Sequence, residues 1–380
     1  MSQELIVAIE EHFSSLPDPR RETANQRHKF IDILVIAICG IICGAEGGTA
    51  IEKFGKAKEE WLRSFLELPN GIPSHDTFTD VFAKLSPRKF EACFISWVES
   101  ISELFDGEIV AVDGKTLRRS HDKSYGKKAI HMVSAWATEN SLVLGQIKTD
   151  DKSNEITAIP ELLKSLKLKG CLVTIDAMGC QKKIADVIVE QEADYLLAVK
   201  DNQPSLHQAI QNYFSDANEA NFEGYNIDYA ETHNKGHGRI EERRCWVGYD
   251  ALPRIDNSQN WKALETIVMV ESKRTVDGKT TIEHRYYISS SDSTASKLLS
   301  ASRSHWGIEN SLHWRLDIAF REDESRIRKG YGAENFAILR HLALNLLKKE
   351  ETAKVGIENR RLMAGWDNSY LEKVLAGLAS

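Results

Sequence analysis

Apolar and polar positions change period along the chain, and the changes mark its parts. Up to about residue 95 apolar residues recur at helical spacing. Ile31 to Cys43 is almost continuously apolar and predicts a buried helix. Ala50 to Leu68 predicts a second, with Ile51, Phe54, Trp61, Leu62, Phe65 and Leu66 along one side. Leu68 to His75 is a cluster of turn residues, after which Ser74 reads as the N-cap of a helix over Asp76 to Leu85. A short helix behind a tight turn suits either a helix-turn-helix, with Pro73 to Leu85 as its reading segment, or plain helix packing.

From Gly107 the pattern shortens. Ile109-Val-Ala-Val-Asp113-Gly114 is an apolar run closed by an acid and a glycine, the mark of a buried strand. Ala129 to Thr138 and Leu142 to Thr149 predict two more strands around a turn at Glu139 to Ser141. A helix over Glu155 to Leu166, a strand over Cys171 to Asp176, a helix over Gln181 to Glu192 and a strand over Tyr195 to Lys200 follow. Three leading strands and then alternation is the order of an α/β, ribonuclease-H-like domain, and alternation itself favours a partly parallel sheet covered by helices. Pro204 to Ser291 reads as polar and β-rich, with a hairpin turn at Val276-Asp277-Gly278. Helices return over Ala295 to Phe320 and Ala333 to Lys349, and Tyr370 to Leu378 is a last amphipathic segment. The division expected is a helical N-terminal domain over 1–95, a first part of an α/β core over 106–204, a β-rich insertion over 205–291, a second part of the core over 292–349, and a helical tail over 350–380.

Composition adds limits. At 380 residues the chain is too long for one small core. Its formal net charge of -7 excludes a uniformly basic nucleic-acid binder, so any such surface must be local. The six cysteines include no CxxC pair and read as reduced and mostly buried. His233, His237 and Cys245 lack a fourth ligand for zinc and sit in what reads as a polar loop between strands. The N-terminal residues lack a basic signal-peptide start, and Ile33 to Cys43 is too short to span a membrane, so a cytoplasmic protein is expected.

Asp113 and Asp176 occupy equivalent places, each closing a buried apolar run. Ligand sites of open α/β sheets gather beyond the carboxyl ends of the strands. Either aspartate alone could simply cap a turn. Two neighbouring carboxylates repel unless a cation lies between them, and a divalent ion is the natural one. Two such ions can activate an attacking oxygen and stabilise a leaving one. A third acid should come from a later helix. Glu309, which shares a face with Leu312, His313 and Leu316, and Asp317, two turns on, are both candidates; Glu322, Asp323 and Glu324 read as a solvated acidic run.

Cations crowd beside these acids: Lys115, Arg118 and Arg119 after Asp113, Lys182 and Lys183 after Asp176, and Lys200 at the end of its strand. Arg303, Arg315, Arg321, Arg326, Arg328 and Lys329 surround Glu309. Such clustering suits phosphate contacts. Trp306 and Trp314 read as core, with stacking on an extruded base as the functional alternative.

These residues carry a resemblance. Ala111 to Arg118, Lys152 to Ile156, Thr174 to Cys180, Ala198 to Gln203, His237 to Arg239 and His305 to Trp314 together resemble the DDE transposases of bacterial insertion sequences, most closely the H-repeat-associated group, over nearly the whole chain. The resemblance implies a ribonuclease-H-like domain interrupted by a β-rich insertion, and Asp113, Asp176 and Glu309 as catalytic and metal-binding triad, in preference to Asp317. It implies two Mg2+ or Mn2+ ions per site, and double-stranded DNA (terminal inverted repeats and target) as partner to a homodimer. Lys115, Arg118, Arg119, Lys200, Asn202, Arg303, His305, Arg315, Arg326 and Arg328 are the expected DNA contacts. One departure stands out. The Tyr, Arg and Lys that flank the glutamate in the wider superfamily fall here on Ser302, His305 and Leu316, with Arg303 and Arg315 near the expected Arg and Lys positions but not on them; even a one-residue step on a helix turns a side chain by about 100°. A retired transposase that only binds DNA, and a cellular nuclease acting on hybrids or branched DNA, are the competing expectations.

Overall fold

A computed structural model of the chain describes residues 2–21, 26–102, 104–121, 128–149, 155–236 and 238–378. The helical period at the start becomes α1 (Ser2–Phe13), α2 (Phe30–Ile42), α3 (Gly48–Ala57), α4 (Glu59–Leu62), α5 (His75–Lys84) and α6 (Pro87–Ile101). Every residue of α2 from Asp32 to Ile42 is buried, which is why its sequence shows almost no polar face. Ser74 caps α5, its hydroxyl accepting from the Thr77 N–H at 3.4 Å. The single helix expected over Ala50 to Leu68 is broken at Lys58 (φ −113°, ψ 15°), and α4 starts after it. Pro87 opens α6 where no N–H donor is needed, and the helix runs past residue 95 to Ile101.

The next strands are β1 (Ile109–Thr116), β2 (His131–Ala137) and β3 (Leu142–Thr149), followed by α7 (Glu155–Lys164), β4 (Leu172–Ile175), α8 (Lys182–Glu190) and β5 (Asp194–Val199). This is the element order expected over 109–199. β1 pairs antiparallel with β2 and β2 with β3, whereas β1–β4 and β4–β5 are parallel. Ile109 to Val112 and Leu172 to Ile175 are wholly buried, as strands covered on both faces must be.

The stretch after Pro204 departs from expectation at its start. It opens with α9 (Pro204–Glu219), whose Leu206, Ile210, Tyr213, Phe214 and Ala217 form one buried stripe among polar residues. The β-rich stretch is then a four-strand meander of β6 (Ile227–Gly236), β7 (Arg239–Gly248), β8 (Thr266–Val276) and β9 (Lys279–Ser289). His233 and Cys245 therefore lie within strands β6 and β7 rather than in a polar loop, and His237 lies outside the described residues. β8 and β9 are joined at Asp277 and Gly278, both with positive φ (48° and 75°), the geometry of a tight hairpin. β9 pairs antiparallel with β5, so all nine strands form one sheet in the order β3-β2-β1-β4-β5-β9-β8-β7-β6.

The helix expected over Ala295 to Phe320 is three pieces: α10 (Ala295–His305), a π-helical turn (Glu309–His313) and α11 (Trp314–Phe320). α10 packs on β1 and β4 and brings the π turn to the sheet. α12 (Gly332–Lys349) is buried along nearly its whole length against α2, α5, α6 and β3. Its two buried asparagines have distinct uses. Asn335 donates to the carbonyls of Phe82 and Leu85 at the end of α5 (2.7 and 3.0 Å). Asn345 bonds both the N–H and the C=O of Val143 at 2.9 Å, so a side-chain amide replaces a strand neighbour at the β3 edge. α13 (Ile357–Trp366) and α14 (Asn368–Ala376) close the chain. All six cysteines are free, five of them buried. Among the described residues no helix is long and apolar enough to cross a membrane.

Candidate active site

Val112 of β1 and Ile175 of β4 are register partners on adjacent parallel strands, so Asp113 and Asp176 follow side by side. Parallel neighbours lie roughly 4.8 Å apart. Asp113 does not end its strand: β1 continues to Thr116 as partner of β2. Asp176 does cap a turn. One carboxylate oxygen accepts from the N–H groups of Met178 (3.0 Å) and Gly179 (3.3 Å), leaving the other oxygen outside these bonds. The Asp113 side chain is only 23% exposed. Burial pushes its carboxyl up to about 7, and the carboxylates of Asp176, Glu155 and Glu309 add to the rise against an N–H bond from Gly114.

Glu309 opens the π turn, an irregularity frequent at functional sites. Its carbonyl accepts from the Trp314 N–H, while its side chain is exposed and has no hydrogen-bond or ion-pair partner among the described residues. Asp317, by contrast, is ion-paired with Lys115. On the same π turn, His313 places Nδ1 3.6 Å from the Asp113 carboxylate. Burial and then nearby Lys115 push its imidazole down to about 3, so it is neutral, and its Nε2 is buried without a partner.

The expected DNA contacts divide into groups. Lys115 points inward, ion-paired with Asp317 and, at 3.0 Å, with Glu322. Glu322 is correspondingly not part of a solvated run: it is buried, and although burial raises its pKa, Lys115 and Arg340 hold the carboxyl down at about 2. Asn202 is turned to the Ala177 carbonyl, tying the loop after β5 to the turn after Asp176. His305 lies 3.1 Å from the Thr174 hydroxyl, its imidazole pushed down by burial. Arg315 is half-buried, its Nε without a partner. Arg118 and Arg119 are exposed on the turn after β1; Arg118 reaches Asp323 at 3.2 Å and Arg328 donates to the Arg119 carbonyl, and Arg326 is exposed nearby in sequence. Trp306 and Trp314 are not core: they are 39% and 57% exposed, and Arg285 covers one face of Trp306 at 4.6 Å.

Two hollows adjoin the acids. One of about 300 Å³ is lined by Asp176, Lys200, His305 and Trp306. A groove of about 600 Å³ runs between the β7–β9 face and the segment carrying Glu309. Its lining includes six cations (Arg239, Arg243, Lys273, Arg274, Arg285, Arg303) against three glutamates.

The donor set is of the right kind for a hard divalent ion: carboxylate oxygens, one held near neutral pH by burial and like charge, which a cation would relieve. Among the described residues, however, no three such side chains are already gathered close enough to hold an ion. Two contributors were not identified from the sequence. In the sequence His313 stands out only as a neighbour of Glu309 on its helix. Glu155 stood in the segment Lys152 to Ile156, but nothing in its spacing tied it to Asp113; residues 152–154 of that segment lie outside the described residues.

Comparison with known proteins follows the same ground. A family model described as "Transposase DDE domain" matches residues 104–346, and one described as "DDE_Tnp_1-associated" matches residues 10–98. The chain is 45% identical to the H repeat-associated protein YhhI of Escherichia coli strain K12 over 374 residues, 97% of each chain. It is 44% identical to the protein YbfL of the same organism, again over 97% of each. Among solved structures, a piggyBac transposase synaptic complex with hairpin DNA aligns at 13% identity and a TM-score of 0.43, covering 99% of this chain and 78% of that one.

Proposed function

This chain belongs to the transposase DDE domain family, and from that premise we propose that it cuts DNA strands at the ends of an insertion sequence and joins them to a target. The observation that carries the reading is the placement of Asp113, on β1, beside Asp176, the residue directly after the parallel strand β4. We read residues 106–204 and 292–349 as one ribonuclease-H-like core, 205–291 as its insertion, 1–95 as a helical DNA-binding domain and 350–380 as a helical tail.

Asp113, Asp176 and Glu309 would hold two Mg2+ or Mn2+ ions. Such ions, when bound, supply an activated oxygen nucleophile and charge stabilisation for in-line phosphoryl transfer. The chain's own residues prepare for this. Asp176 is oriented by two backbone N–H groups through one oxygen and offers the other. Asp113, its carboxyl raised to about 7, would be ionised in holding such an ion. Neutral His313 sits beside it without adding a competing positive charge. The exposed Glu309 side chain would have to turn inward to join Asp113 and Asp176. Exposed Arg118, Arg119 and Arg326, and the cationic groove with Arg303, suit the phosphates of duplex DNA. Joining two ends needs two such sites, hence a homodimer on DNA, in the cytoplasm.

The test is a magnesium-dependent nicking and joining assay on terminal inverted repeats. Asp113→Asn should abolish cleavage and leave end binding within about twofold, since it removes no phosphate contact. Cleavage by that variant at the wild-type rate sinks the assignment. A second reading, a retired transposase that only binds DNA, is favoured by one observation, the lack of a gathered three-residue metal cluster among the described residues. It predicts end binding with no nicking by the wild-type chain.

A further inference from the structure

Side chains alternate along a strand, so Gly114 faces the opposite side of the sheet from Asp113. Three polar residues meet there. Thr116 and His131 are cross-strand partners of β1 and β2. The Thr116 hydroxyl lies 2.8 Å from His131 Nδ1, and His131 Nε2 lies 2.5 Å from Oε1 of Glu155, the first residue of α7. His131 is 3% exposed and Glu155 5%. The two ring nitrogens each have a hydrogen-bond partner, Nε2 the Glu155 carboxyl group and Nδ1 the Thr116 hydroxyl. The chain hydroxyl–imidazole–carboxylate is thus internally satisfied.

Gly114 rests directly on this chain. Its φ is not in the left-handed region, so backbone conformation does not demand glycine. Space does: a Cβ would overlap both Glu155 Oε1 and His131 Nε2. A buried imidazole–carboxylate pair costs desolvation, and an apolar pair of similar volume is often as stable or more so. Core packing therefore does not account for it. What the pair does is join β1, β2 and the start of α7 at the residue next to Asp113.

We infer that Thr116, His131 and Glu155 form a positioning clamp that presses on Gly114 and fixes Asp113 beside Asp176. The clamp rests on the role proposed above for Asp113; its own residues do not touch the reacting atoms. Polar residues behind a metal ligand commonly change affinity or activity by about 10–100-fold when removed.

The test compares Glu155→Ala, Glu155→Gln and Gly114→Ala in the full chain. Three readouts are taken: single-turnover cleavage of terminal-repeat DNA, DNA affinity, and Mn2+ binding to the DNA-free protein by calorimetry. Glu155→Ala should slow cleavage and weaken Mn2+ binding, each by about tenfold or more, with DNA affinity unchanged. Glu155→Gln, which keeps the acceptor for His131, should restore both to within about threefold, the loss of one hydrogen-bond increment. Gly114→Ala should match Glu155→Ala, and the double variant should be no worse than either single; Gly114→Ala carries the test alone if Glu155→Ala does not fold. Wild-type values for Glu155→Ala, or a Glu155→Gln as defective as Glu155→Ala, overturn the clamp while the proposed function stands. A wild-type protein that neither cleaves nor binds Mn2+ overturns the proposed function and the clamp with it.

Discussion

Replacing Asp113 by Asn should make the metal-free protein more stable while destroying its activity, and the gain should depend on pH. Burial and neighbouring carboxylates raise the Asp113 carboxyl from 3.8 to about 7. At ~1.4 kcal/mol per pKa unit the ionised form costs the native state about 4 kcal/mol, or roughly half that after solvent screening. Above pH 7 the residue is ionised in both folded and unfolded states, and the native state bears the whole cost. Below about pH 3.8 it is protonated in both, and the cost vanishes. Between these limits the native state binds the proton more tightly, so stability falls as pH rises. Asn carries no charge at any pH. The variant should therefore exceed wild type by roughly 2 kcal/mol at pH 8 and by nothing near pH 4. For a chain of 380 residues, with an unfolding entropy of about 0.8 kcal/mol per kelvin, that is a rise of about 2–3 °C in Tm. Calorimetric melting in EDTA at the two pH values measures it. Saturating Mg2+ should stabilise wild type and not the variant. A variant less stable than wild type at pH 8 without metal, or a gain equally large at pH 4, refutes the reasoning.

Other outcomes follow from the same geometry. Glu322→Ala strands Arg340 in a buried setting and leaves Lys115 with Asp317 alone, and should cost about 3–5 kcal/mol, a fall of roughly 4–6 °C in Tm at pH 7. Because the folded pKa of Glu322 is about 2 against an ordinary 4.5, its contribution is full above pH 4.5 and lost as pH falls toward 2, so acid melting should bring variant and wild type together. Arg303→Ala in the cationic groove should weaken DNA binding uniformly across sequences and reduce the slope of log affinity against log salt by about 0.9, read by anisotropy titrations at several salt concentrations. Ser74→Ala, which removes the α5 cap, should cost about 0.5–2 kcal/mol in urea unfolding without affecting cleavage.

What was legible in the sequence is what local chemistry decides. The runs Ile109 to Val112 and Leu172 to Ile175 read as buried strands from their apolar residues alone, and each is followed directly by an acid. Asp277 and Gly278 announced their hairpin because both take positive φ. What depends on distant partners was not legible. Glu322 looked solvated among acidic neighbours because its partner Lys115 is 207 residues away. Trp314 sits at a spacing compatible with core yet lies mostly open, since nothing covers that side of α11 among the described residues. The β-rich stretch showed its strands but not that β9 would add to β5 and extend one sheet. Helical spacing alone favours Glu309 only narrowly over Asp317. The ion pair that occupies Asp317 is again long-range, and the π turn at Glu309 has no signature in residue spacing.

Anomalous diffraction from crystals soaked in Mn2+ tests the core of this account most directly. The account predicts a manganese peak between the carboxylates of Asp113 and Asp176, with the Glu309 side chain turned toward it. Saturated crystals with no peak between those two aspartates, or with manganese bound only elsewhere on the protein, would contradict it.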